Sequence, residues 1–319
     1  MEIGSFFELE LPKGREYYTG SELARLNSGR AAIWHALRVM GCKTVWLPYY
    51  QCETVRNFLI KKNIRLKYYH INFDFTPQDL RPVEGEAVLF VNYFGVMGGA
   101  RMSALGAGYK NVIFDNAQAF FSAPEAGSLS IYSPRKFFGV PDGAYVIGEG
   151  ADSFCGEYER DCSSDASLFL LTRIEYGCGG RAYEARMRNE KRIDASDVKR
   201  MSALTRAILD GTDYEDIKRK RRENYAYACG LFDAINRLNA SRYLTPDCVP
   251  MVYPLVVEDE SLFSRLLEAG HFQGRWWSYL KDEMSENSFE HYLSRYLVPI
   301  SIDQRYGREE LKYIREAVG

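Results

Sequence analysis

Histidine is scarce in this chain. Four residues, widely separated among 319, give no cluster of metal ligands to argue from. The seven cysteines (Cys42, Cys52, Cys155, Cys162, Cys178, Cys229 and Cys248) are an odd number without a C-x-x-C, which fits a reduced, cytoplasmic protein better than a disulfide framework. Net charge is also lacking: at −2 there is no general case for binding nucleic acid or an anionic membrane. No apolar run approaches the roughly 18 residues of a transmembrane helix. The first residues, MEIGSFFELELPKGREYY, mix acids into apolar positions and lack the basic start and apolar centre of a signal peptide. No strand is followed by a G-x-G-x-x-G turn, since Gly95, Gly98 and Gly99 have the wrong spacing, so a doubly wound dinucleotide-binding enzyme is disfavoured. Internal repeats and low-complexity segments are missing as well.

What is present reads as an ordinary soluble protein, 46% apolar and 26% charged. Its length suffices for two domains, or for one large domain with an appendage. After a leading arm over 1–20, Ile33, Ala36, Leu37 and Met40 fall on one face of a helix that Asn27 or Ser28 can cap and Gly41 can end. Strands are expected at 44–47, 65–71, 87–92, 112–114, 129–132 and 144–147, with a helix at 53–62. That alternation implies an α/β domain with a mainly parallel sheet. Residues 151–224 read as polar and irregular, their basic runs alternating with acids as on a solvated helix face. A long helix over 216–236 leads into strand, helix, strand and amphipathic helix. The expected division is therefore a large α/β domain over 1–224 and a small α+β domain over 225–319.

The chemistry concentrates in NVIFDNAQAFFSAPEAGSLSIYSPRKFFGVPDG, residues 111–143. Each of two short buried strands delivers a loaded residue at its carboxyl end: Asp115 from the first, with Gln118 three positions on, and Lys136 from the second, with Ser133 three positions before it. Ligands of parallel sheets sit at that edge. An acid and a lysine on neighbouring strands there are what a pyridoxal 5'-phosphate (PLP) site needs. The lysine forms the Schiff base, and the carboxylate keeps the pyridine nitrogen protonated so that the ring acts as an electron sink.

These motifs resemble those of the fold-type-I PLP-dependent enzymes, most closely the DegT/StrS-type sugar aminotransferases. Asp115-Asn-Ala-Gln118 looks like that family's Asp-x-x-Gln motif, and Lys136, followed by Gly139 and Asp142-Gly143, looks like its Schiff-base lysine and the turn after it. The ending from Pro299 to Tyr306 resembles the family's C-terminus, so the likeness spans from about Leu26 to the end. The resemblance implies a phosphate cradle from Ser28, Gly29 and Ser133, with Arg30 standing where the family usually has threonine. It implies that either Cys52, four positions after Pro48, packs on the face of the ring or a nearby tyrosine takes that place. It also implies Tyr93, in VNYFGVMGG, along the substrate pocket. Trp276-Trp277 serve equally as a substrate entrance or as core of the small domain.

The function implied is a PLP-dependent aminotransferase. It would move an amino group from an amino acid donor to a keto-sugar or related oxo acceptor, with catalytic Lys136 and Asp115. The resemblance further implies a homodimer with sites at the subunit boundary, to which the basic region 173–206 would reach. The rival from another class is a fold-type-I protein that binds PLP without transamination, as a binding or regulatory module.

Overall fold

The computed structural model describes residues 3–319. The chain runs β1 (Leu23–Leu26), α1 (Gly29–Val39), β2 (Thr44–Pro48), α2 (Glu53–Lys61), β3 (Arg65–Tyr69), β4 (Ala87–Val91), α3 (Gly99–Gly106), β5 (Val112–Asn116), β6 (Leu129–Tyr132) and β7 (Ala144–Ile147). There follow α4 (Leu168–Tyr176), α5 (Gly180–Ala195), α6 (Ala203–Asp210), α7 (Tyr214–Phe232), β8 (Val252–Val256), α8 (Leu262–Glu268), α9 (Leu280–Glu283), α10 (Phe289–Tyr296), β9 (Leu297–Ser301) and α11 (Arg308–Val318).

Seven strands form the central sheet in the order β1-β7-β6-β5-β4-β2-β3. The pairs from β3 to β6 are parallel, while β7 runs antiparallel to both β6 and β1. β4, β5 and β6 are buried throughout; β4 is apolar along its whole length, and β5 until Asp115, as strands covered on both faces are. Two antiparallel steps restore the direction of β1 to that of β6. The carboxyl end of β1, and with it the start of α1, therefore lies on the same edge of the sheet as the ends of β2, β4, β5 and β6.

Helix α1 begins as the sequence leads one to expect. Ser28 is its extended N-cap and accepts the Ala31 amide on Oγ, Ile33, Ala36 and Leu37 face the core, and Gly41 ends it at a φ of +68°. Residues 151–224 differ from the expectation. They hold α4, α5, α6 and the start of α7. The buried stripe of α5 is Ala182, Ala185, Asn189 and Ile193, too small and too polar to register as apolar periodicity.

The second sheet pairs β8 with β9, antiparallel; α7 packs on β8, and α11 packs against α7 and α8. Helix α7 belongs to both parts. Tyr214 at its start packs against Phe120 and Phe138 beneath the large sheet's edge, while Asn224 donates to the carbonyls of Ile302, Asp303 and Tyr306. The expected division at 224/225 thus falls inside a continuous helix. Among the described residues no helix is long and apolar enough to cross a membrane, no His, Cys or acidic group could hold a metal ion, and no disulfide forms.

His271 ties α8's exit to β9. Its Nε2 accepts the Ser301 amide, its Nδ1 is buried without a partner, and burial pushes its titration down to about 4. The unfolded chain then binds this proton more readily between about pH 6.5 and 4, so stability from His271 is present above that window and is lost as pH falls through it. Denaturant melts of wild type and His271→Asn should therefore diverge as pH drops from 6.5 towards 4. The variant should gain on the order of 2 kcal/mol relative to wild type. Parallel curves would contradict this role for His271.

Candidate active site

Asp115 lies within β5 rather than just past it, directly beside Ile131 of β6. It is 5% exposed. Its Oδ1 accepts the Ala117 amide at 2.9 Å and its Oδ2 the side-chain amide of Gln51 at 3.1 Å. Burial raises its titration, opposed by those two donors and by the charge of Lys136 on the neighbouring strand's exit. Among the described residues Asp115 has no ion-pair partner, so a buried carboxylate stands here with two neutral donors and one cation acting through space.

Lys136 closes a single 3₁₀ turn, Pro134–Lys136, that starts where β6 stops. Its side chain is exposed while its surroundings are fixed. Phe138 packs edge-on to Phe120, with ring centroids 4.8 Å apart, and Phe137 joins the same aromatic cluster. The Phe137 carbonyl accepts from Gln304 at 2.8 Å, and the Phe137 ring lies 4.5 Å from the buried guanidinium of Arg221. Arg221 spends its other donors on Gln304 and on the carbonyls of Pro250 and Met251, and burial lowers its titration to about 10 against the opposing charge of Asp303. Arg221 of α7 and Gln304, just after β9, therefore grip the residue next to the lysine.

The turn after Lys136 is equally constrained. Asp142, fully buried, accepts from the Ser202 amide and hydroxyl at 2.8 and 2.7 Å, and from the Ser163 and Thr205 hydroxyls, which fastens the turn to the start of α6. At Gly143 φ is +121°, and an added Cβ would meet Pro134, Thr205 and Met201 at 3.0 to 3.3 Å.

The remaining expected residues divide. Ser28, Gly29 and Ser133 come to one edge. The Ser133 hydroxyl makes no capping bond, and a Cβ at Gly29 would meet open space. The first-turn amides of Gly29 and Arg30 have no acceptor among the described residues. Gln118 is buried, and its Oε1 accepts the Phe94 amide at 2.7 Å. Arg30 turns away instead: its Nη1 pairs with Asp194 of α5 at 2.5 Å, and its guanidinium lies over Phe58 of α2. Cys52 holds the N-cap position of α2 without a side-chain capping bond, its thiol 3.1 Å from Thr54 Oγ1, and the neighbour that reaches Asp115 is Gln51. Tyr93, expected along the substrate pocket, is 1% exposed and gives its hydroxyl hydrogen to the Tyr50 carbonyl at 2.7 Å, so it presents no surface to a substrate.

Trp276 was open between entrance and core, and it stands at the site. Its ring lies 5.9 Å from Lys136 Nζ and stacks on Phe94 at 5.8 Å with planes 9° apart. Neither Gln51 nor Trp276 carries a local signal in the sequence, because both act through partners more than 60 residues away.

The chain matches no family model and none of the curated proteins. Solved structures do match. A sugar aminotransferase from Micromonospora echinospora is 17% identical, with a TM-score of 0.59 over 93% of this chain and 86% of that one. A DegT DnrJ EryC1 StrS aminotransferase from Brucella abortus is 13% identical, at 0.62 over 93% and 84%. The E. coli GDP-4-keto-6-deoxy-D-mannose-3-dehydratase, solved with bound hydrated PLP, is 13% identical, at 0.61 over 93% and 87%. At such identities likeness speaks for architecture, and the architecture of this chain is the fold-type-I fold of the PLP-dependent sugar aminotransferases and dehydratases.

Proposed function

We propose that this protein is a PLP-dependent enzyme of sugar modification, and specifically an aminotransferase that carries nitrogen from an amino acid to a keto-sugar or related oxo group. The observation that carries the reading is the pairing of a buried, otherwise unpaired carboxylate, Asp115, with an exposed lysine, Lys136, at the ends of adjacent parallel strands. The residues fit the cofactor by their chemistry. A cationic ring nitrogen is the partner that the Asp115 carboxylate lacks. The open cradle at Gly29, the free amides of the first turn of α1 and the uncommitted Ser133 hydroxyl suit a phosphate. The folds it shares include proteins solved with PLP or its amine form.

Bound here, PLP supplies an electron sink for negative charge that develops at the carbon next to the transferred nitrogen. The protein's own residues do the rest. Ser28, Gly29 and Ser133 hold the phosphate end. Asp115, kept in place by Ala117 and Gln51, retains the proton on the ring nitrogen. Gln118, whose Oε1 is committed to Phe94, has its side-chain NH₂ to offer the ring hydroxyl. Lys136 would hold the cofactor covalently at rest; once the incoming donor amine has displaced it, its free Nζ would move protons at the reacting carbon, as a general base and then acid. The dehydratase among the shared folds marks the competing outcome; since one such dehydratase is solved with PLP and glutamate joined, transfer of nitrogen to the oxo acceptor is what distinguishes the two.

Borohydride reduction of PLP-saturated protein followed by peptide mass mapping should place the pyridoxyl label on Lys136. Label on another lysine, or none, would sink the assignment. Asp115→Asn should retain cofactor yet slow the half-reaction with a competent amino donor by orders of magnitude. A variant within about threefold of wild type, under ~1 kcal/mol of barrier, would remove Asp115 from its role.

The reading includes a homodimer. The α4–α5 hairpin, which overlaps the region 173–206 expected to reach a neighbour, carries Leu168, Leu171, Ile174 and Tyr183 exposed, Ile174 by 82%. Leu170 of the same helix lies beside Gly139 in the lysine turn. Light scattering at micromolar concentration should give twice the chain mass, with an interface well over ~2,000 Å². A monomer that retains PLP and transaminates would refute the shared site.

A further inference from the structure

In the β2–α2 connection Cys52 is turned to Thr54, Tyr49 stacks on Tyr68 with ring centroids 5.1 Å apart, and Tyr50 is fully buried. An aromatic surface arrives from the other unit. The segment before α9 reaches across to the large sheet and is fastened there at several points. The Tyr50 hydroxyl donates to the Trp276 carbonyl at 2.7 Å, and the Tyr279 hydroxyl donates to the Gln51 carbonyl at 2.7 Å. Glu283 pairs with Arg56 of α2 at 2.6 Å, and the Arg56 guanidinium lies 4.9 Å from the Tyr279 ring. Trp277 packs edge-on to Tyr50, with centroids 4.6 Å apart. These contacts leave Trp276 partly exposed, stacked with Phe94 at 5.8 Å and with Trp277 at 5.9 Å between ring centroids, and with the Lys136 amine 5.9 Å from its ring centre.

We propose that Trp276 is the aromatic wall of the cofactor pocket, supplied by the C-terminal unit and presenting its indole face to the PLP ring. The proposal rests on the PLP reading above and adds a residue that reading did not contain. Its physical basis is the match of electronics. Indole has the most electron-rich face of the natural side chains, and a pyridine ring kept protonated by Asp115 is a flat cation. The carbonyl of Trp276 is held by Tyr50 of the large unit, and Gln51, the next residue after Tyr50, bonds Asp115. The same short connection therefore sets both the group at the ring's edge and the group on its face. Two consequences follow. Cofactor retention depends on the small unit being docked, and the chain tolerates a cysteine at position 52 because the aromatic surface comes from position 276.

The experiment titrates PLP into wild type and the W276F, W276L and W277F proteins. Visible absorption reports occupancy, and a long-wavelength charge-transfer shoulder reports direct contact between indole and pyridinium. In W276L affinity should fall about tenfold, the scale of a desolvated cation–aromatic contact. In W276F affinity should return to within about threefold of wild type while the shoulder is lost, because benzene is a poorer electron donor than indole. In W277F both affinity and shoulder should persist, which separates contact from general loosening of the segment. A W276L protein that binds PLP as tightly as wild type, or a shoulder that survives W276F, would overturn the proposal and leave the PLP reading standing. Wild type that develops no cofactor band would overturn both.

Discussion

A carboxylate buried in a sheet is the constraint from which the rest of this site follows. Asp115 lies where water scarcely reaches, and burial works against its charge. Two neutral donors and the more distant Lys136 offset part of that cost. A group in this position is either neutral or waiting for a cation in direct contact. The parallel sheet provides the place for that cation, since it brings the ends of β2, β4, β5 and β6 to one edge. The antiparallel β7 and β1 then return the start of α1, with its unpartnered first-turn amides, to the edge that carries the lysine turn.

The site belongs to both parts of the molecule. Gln304 and Arg221 hold the peptide that follows Lys136 from below, and the 276–283 segment crosses over to Tyr50, Gln51 and Arg56. Helix α7 runs continuously between the two packing environments. On the proposed reading, loosening these contacts should disturb Lys136 and Trp276 together, so cofactor retention would be coupled to the docking of the 276–283 segment.

The sequence reveals much of this in short, strongly patterned stretches. β4 and β5 are legible because strands covered on both faces leave apolar runs, and Asp115 and Lys136 are legible because they sit at the ends of neighbouring strands. Ser28 and Gly41 bracket α1 by ordinary capping chemistry. Other features have no local signature. β1 is four residues at the sheet's edge, and α5 buries alanines and an asparagine, so neither produces a period. Tyr93 looks like a pocket residue because local pattern does not separate core aromatics from site aromatics, and only its bond to Tyr50 decides. Gln51 and Trp276 matter solely through long-range partners. Position 30 illustrates a further limit, because a helix start implies a phosphate site equally well whether its arginine faces the site or, as here, Asp194.

The central claim is that Asp115 exists to hold a proton on a bound pyridine nitrogen. It is tested most directly by loading the protein with PLP carrying ¹⁵N in the ring and recording the nitrogen's chemical shift against pH. The account predicts a protonated pyridinium shift that stays constant well above the range in which the free cofactor's nitrogen deprotonates, and that reverts towards the free-base value in Asp115→Ala. A bound cofactor whose nitrogen titrates like that of free PLP, unaffected by the substitution, would contradict it.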